Sequence, residues 1–98
     1  MEVRFTDDDL DRLETDVVFR CGHSVAVVRA FRRVMQYIRG AVDERDFYAM
    51  KSLRFEKLKG GREHERSLRL NDQWRLIIEI EPGNPKNTIV VKAIEDYH

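Results

Sequence analysis

Apolar positions change their spacing partway along the chain, from every third or fourth residue to every second. Val3 and Phe5 alternate with charge and predict a short opening strand. Thr6 followed by Asp7, Asp8 and Asp9 reads as a helix start: a capping hydroxyl, then acids that suit the positive end of the helix dipole. That helix is expected to run to about Val18 and to bury Leu10, Leu13, Val17 and Val18. Gly22 breaks it, and His23 or Ser24 can cap the next. Val25, Val28, Phe31, Met35 and Ile38 then recur at helical steps, widened by Val27, Val34 and Tyr37. Arg29, Arg32, Arg33 and Arg39 take the solvated side, and Gly40 suits the C-terminal cap. Asp43 to Met50 predicts a third, short helix capped by Asp43.

After Lys51 the period is that of a strand. Leu53 and Phe55 form an extended piece, and Lys57-Leu58-Lys59-Gly60-Gly61-Arg62 a flexible basic loop. Three strands follow, at about Glu65 to Leu70, Gln73 to Glu81 and Thr88 to Tyr97. Asn71-Asp72 makes the first turn between them and Pro82-Gly83-Asn84-Pro85 the second. Short connections make successive strands antiparallel. The fold class is therefore α+β, with N-terminal helices packed on one face of a small antiparallel β-sheet, in a single domain spanning 1-98.

A net charge of zero hides a segregation. Up to Phe19, seven acids oppose two arginines, for a net −5. From Arg20 to Ile78, fourteen Lys or Arg oppose seven acids, for +7; two lysines against four acids leave −2 beyond. This predicts a basic working surface beside an acidic flank. No apolar stretch approaches the ~20 residues that a membrane span needs. The first residues lack the apolar core of a secretion signal. Cys21 is alone, so no internal disulfide and no cysteine-based zinc site is expected, and a reducing cytoplasm fits best.

Alternation assigns faces. Trp74, Leu76, Ile78 and Ile80 make the better core face, which sends Arg69 and Arg75 to the side away from the helices. Asp96 and His98 share one face of the last strand, close enough for the carboxylate to orient the imidazole. Within Glu95-Asp96-Tyr97-His98 an acid, a phenol and a group titrating near neutrality thus lie together. His64 reads as a solvated surface residue, His23 as a helix-start residue and Trp74 as a core anchor.

Three blocks in order carry a resemblance: Lys57-Leu58-Lys59-Gly60-x-Arg62, Ser67-x-Arg69-x-Asn71-x-Gln73-Trp74-Arg75, and terminal Glu95-Asp96-Tyr97-His98. Together, across Ser52 to His98, they resemble the HigB branch of the RelE/ParE toxin superfamily, the killer proteins of plasmid-maintenance toxin-antitoxin pairs. The resemblance implies a toxin that enters the ribosomal A site and cleaves mRNA as a metal-independent endoribonuclease. It implies no cofactor, and as partners the ribosome, mRNA and a HigA-like helix-turn-helix antitoxin. Attack by a ribose 2′-hydroxyl needs a base, an acid for the departing 5′-oxygen and cations around the phosphorane.

By match to the family's C-terminal motif, His98 is the leading acid/base group, with Asp96 orienting it and Tyr97 stacking on a base or bonding the phosphate. Arg69 and Arg75 suit bidentate phosphate contacts. Lys57, Lys59, Arg62 and Arg66 are expected to grip RNA backbone. Many relatives carry a His just before the Lys-Leu-Lys-Gly segment, where this chain has Arg54-Phe55-Glu56. Glu56 could then serve as base and Arg54 supply charge. Two other readings stay open: a ParE-like, non-catalytic inhibitor of DNA gyrase, and an inactive relative kept as an interaction or repressor subunit.

Overall fold

Asp7, not Thr6, opens the first helix. In the computed structural model, which describes residues 1–96, its carboxylate accepts the Asp9 N–H at 2.7 Å. The order is β1 (Glu2–Phe5), α1 (Asp8–Thr15), α2 (Val25–Gly40), α3 (Arg45–Ala49), a 3-10 turn (Lys51–Leu53), β2 (Glu56–Lys57), β3 (Glu65–Arg69), β4 (Trp74–Glu81) and β5 (Thr88–Asp96). Ser24 caps α2 by accepting the Val27 N–H.

The first helix stops well short of Val18. Asp16 adopts an extended conformation at its end, and its carboxylate takes the Val18 N–H. Arg32 donates to the carbonyls of Leu13, Asp16 and Phe19, so the connection into α2 is pinned to that helix. Val17 and Val18 consequently stand 81% and 80% exposed, and their expected burial is corrected. Val25 is likewise exposed at the edge of the stripe, whereas Leu10, Leu13, Val28, Phe31, Met35 and Ile38 are buried as the periodicity predicts.

The five strands form one sheet in the order β1-β5-β4-β3-β2. Its last four strands are antiparallel, but β1 joins β5 in parallel, so the sheet is mixed rather than wholly antiparallel. The helices between β1 and the later strands supply the long crossover that parallel pairing requires. All three helices contribute to one cluster with Leu68, Leu76, Ile78, Ile89 and Val91, which fixes the helix-covered face. This is the α+β architecture that the change of period implies. No helix is long and apolar enough to cross a membrane among the described residues.

One irregularity sets the faces of β5. Ile77 pairs with Ala93 and Ile78 with Val91, leaving Lys92 as the extra residue of a bulge. Val91 and Ile94, which simple alternation would separate, therefore both pack towards the helices. Downstream of the bulge Glu95 faces Arg75, and Asp96 faces Trp74.

Candidate phosphate-binding site

The side of the sheet away from the helices is not a plain solvated face. Ile77, Val90 and Leu58 are buried but lie outside the helix-side cluster. The same side carries Arg75, Glu79, Glu65, Lys92 and Glu95, whose methylene stems can cover apolar surface while their charges pair above it. Ile77, expected on the exposed face, is thus fully buried. The pairing is continuous. Arg62 bridges Glu65 at 2.6 Å and Glu95 at 2.7 Å. Lys92 bridges Glu65 at 3.0 Å and Glu79 at 3.4 Å, and His64 lies 3.2 Å from Glu79. Burial pushes the Glu65 carboxyl up, but its bonds to Lys92 and Arg62 outweigh that, and the net shift is downward. Glu65 and Glu79 in turn hold the Lys92 ammonium above the ordinary lysine value, against desolvation.

His64, Glu65 and Glu79 bring three possible metal-ligand atoms within 4.8 Å of one another. No such cluster is expected from the sequence, where Glu65 and Glu79 are far apart; the β3–β4 register places them opposite each other. Lys92 already supplies a cation between the two carboxylates.

At the end of this face lies a cavity of about 110 Å³, walled by Arg54, Glu56, Ser67, Arg69, Asn71, Asp72, Trp74 and Arg75. Its construction follows from pairing. Glu56 stands opposite Ser67, and Arg69 opposite Arg75, so alternate residues of three strands converge. Ser67 is buried at 2% exposure. Arg54 enters from the end of the 3-10 turn in a left-handed conformation, φ 45° and ψ 51°. That conformation is uncommon for a residue with a side chain and is held by its neighbours. Phe55, next along, is buried against Phe47 and Tyr48, with ring centroids 5.3 and 4.8 Å away. This anchor sets where Arg54 and Glu56 emerge.

The β3–β4 turn closes the cavity. Asn71 Oδ1 accepts the N–H groups of Gln73 and Trp74, at 2.9 and 2.8 Å. Arg69 donates to the Asp72 carboxylate at the tip. Arg75 has Nη2 3.7 Å from Glu95. Three guanidinium groups therefore line one small cavity with two carboxylates, an arrangement suited to an oxyanion or a phosphodiester.

The structure brings together four of the residues singled out from the sequence: Arg54, Glu56, Arg69 and Arg75. Lys57 and Arg66 form the neighbouring cross-strand pair, and Arg66 donates to the Glu63 and Glu65 carbonyls. Lys59 is exposed beside Gly60 and Gly61, whose positive φ values of 70° and 84° reverse the chain between β2 and β3. Arg62 is engaged by two carboxylates, as above. Asp96 is absent from the cavity wall; it stands opposite Trp74 and accepts from Gln73 Nε2 at 3.2 Å. Tyr97 and His98 lie outside the described residues. Ser67, Asn71, Asp72 and Trp74 line the cavity without having been singled out as site residues. The Ser67-x-Arg69 alternation was signal enough for the first. Trp74 lines the cavity and also packs against the core, edge-on to His23 at 5.5 Å.

These elements in this order, with helices over a five-stranded mixed sheet, make a fold shared with a solved structure. Among solved structures, a YoeB/ParE toxin from Agrobacterium tumefaciens is similar over the full length of both chains, with a TM-score of 0.61 at 17% sequence identity. No protein-family model matches the chain, and no curated protein matches it in sequence.

Proposed function

We propose that the chain is the toxin of a type II toxin-antitoxin pair, of the HigB kind, and that it cleaves translated mRNA as an endoribonuclease in the cytoplasm. The observation that carries this reading is the convergence of Arg54, Arg69 and Arg75 with Glu56 on one cavity. In the proposed reaction a base takes the 2′-hydroxyl proton as that oxygen attacks the adjacent phosphorus. The bond to the 5′-oxygen breaks, and an acid returns a proton to the departing alkoxide. The products are a 2′,3′-cyclic phosphate and a 5′-hydroxyl, with no electrons gained or lost. Arginines around the phosphorane offset its charge where it develops. Glu56 is the base candidate within the cavity, and His98, by family resemblance, is the acid/base candidate from the C-terminal segment, with Asp96 and Tyr97 in support. Lys57, Lys59 and Arg66 add contacts to the RNA backbone beside the cavity.

Neutralisation by an antitoxin of the HigA kind is part of the same reading. Val17, Val18 and Val25 stand exposed around a groove rimmed by Arg20, Arg29 and Arg32. An apolar patch with a cationic rim suits an acidic amphipathic segment.

The test is primer extension on mRNA under translation, comparing wild type with Arg75→Ala and His98→Ala. Codon-linked cuts that both changes abolish support the proposal. DNA damage without cuts points to gyrase, and neither effect points to an inactive interaction subunit.

A further inference from the structure

Each of the two strand arginines in the cavity comes with its own acid, and the two acids are held very differently. Glu95, beside Arg75, is about two-thirds covered and is gripped at both oxygens by Arg62, at 3.1 and 2.7 Å. It is fixed in place behind Arg75, outside the cavity wall. Asp72, on Arg69, has a side chain 97% exposed, and among the described residues Arg69 is its one ion-pair partner. Its backbone sits at the tip of a turn that Asn71 organises by accepting from the Gln73 and Trp74 N–H groups.

We propose that Asp72 is a built-in competitor for the phosphate subsite: its carboxylate occupies the Arg69 guanidinium in the free protein and is displaced when a phosphate enters. This rests on the phosphate-binding reading of the cavity. Two properties make the exchange workable. An exposed ion pair contributes little, so an entering dianion, or a chain making several contacts at once, overcomes it. Yet the carboxylate is tethered three residues away, which gives it an effective concentration in the millimolar range. Free intracellular anions therefore meet standing competition at Arg69. A polynucleotide held also by Arg54, Arg75, Lys57 and Lys59 does not depend on that one contact. Asp72 thus acts as a specificity determinant, favouring ligands that span the cavity over small anions that fill only one corner.

The test is a titration of inorganic phosphate at fixed ionic strength, followed through the arginine side-chain Nε–H resonances of the intact chain. Asp72→Asn is expected to lower the phosphate Kd by about two- to fivefold, the range an exposed ion pair commands. Glu81→Gln removes the same charge at the far end of β4 and is expected to leave the Kd within twofold. In an Arg69→Ala background, Asp72→Asn is expected to have no further effect. Equal Kd values for wild type and Asp72→Asn overturn the proposal while leaving the phosphate site standing. Tightening that persists without Arg69 also overturns it, because it reports the general field and not displacement. If neither protein shifts any arginine resonance, the phosphate reading of the cavity fails, and the role of Asp72 with it. Circular dichroism of each variant confirms that the comparison is between folded proteins.

Discussion

Arg75 and Glu95 oppose each other across β4 and β5, with the guanidinium 3.7 Å from the carboxylate. One of the three cavity arginines is thus oriented by an acid that Arg62 holds in turn. Arg75→Ala should lower cleavage at least ~100-fold, the usual cost of removing one donor from a developing oxyanion. Lys86→Ala, in the distal turn, should leave it unchanged. Single-turnover rates on ribosome-bound mRNA check both, and equal losses would reject the assignment of Arg75 to the site.

Glu56 enters the cavity on a two-residue edge strand, opposite Ser67. If its carboxylate takes the 2′-hydroxyl proton, Glu56→Gln should slow cleavage by roughly 10²–10⁴-fold. The same change should preserve phosphate binding. Undiminished cleavage by the Glu56→Gln variant would show that another group is the base.

The paired charges on the open face should confer a pH-dependent stability. The Glu65 carboxyl is held below its ordinary 4.5 once folded, so the unfolded chain binds the proton more tightly. Its stabilisation is fully present above about pH 4.5 and is lost as pH falls through the lower, folded value. Lys92 is raised above 10.5, so its contribution is present below that pH and lost as pH rises through the higher value. Urea midpoints measured across pH should show both limbs. Lys92→Met should move the acid limb to higher pH and erase the alkaline one; an acid limb that stays put means Lys92 does not stabilise the Glu65 carboxylate.

Phe31 is fully buried at the centre of α2's apolar stripe. Phe31→Ala should destabilise by about 3–5 kcal/mol in denaturant unfolding. Val17→Ser and Val18→Ser should change stability by no more than about 0.5 kcal/mol, since both are exposed, yet weaken antitoxin binding. A large stability loss for either valine would place it in the core after all.

The last two valines show where reading the chain alone reached its limit. Their helical spacing after Leu10 and Leu13 is indistinguishable from a continuing apolar face. Asp16 ends the helix, extended and with its carboxylate on the Val18 N–H, and Arg32, sixteen residues beyond, donates to the carbonyls of α1's last turn and the following loop. Long-range capping of that kind leaves no local signature. Alternation, in contrast, sufficed for β3 and β4: Leu68, Leu76 and Ile78 went to the core, and Arg69 and Arg75 together to the other side. Arg54 and Glu56 stand outside the three motif blocks, at the stretch where the chain departs from the resembled family. The left-handed turn at Arg54 and the pairing of Glu56 with Ser67 that bring them to the cavity leave no such signal, because Arg carries no conformational preference for that turn. Parity also could not say which face of the last strand Asp96 would take.

The extra residue at Lys92 makes the end of β5 a matter of counting. A chain lacking one position there would turn Ala93, Ile94, Glu95 and Asp96 over, sending Ile94 outward and Glu95 beneath the helices. The chemistry of this protein's last strand is therefore addressed by chain length as much as by residue identity. A one-residue deletion near this point would separate a last strand whose Glu95 faces Arg75 from one whose Glu95 faces the helices. Insertion or removal of a residue at position 92 is a route by which one scaffold could exchange its working carboxylates without altering any of them.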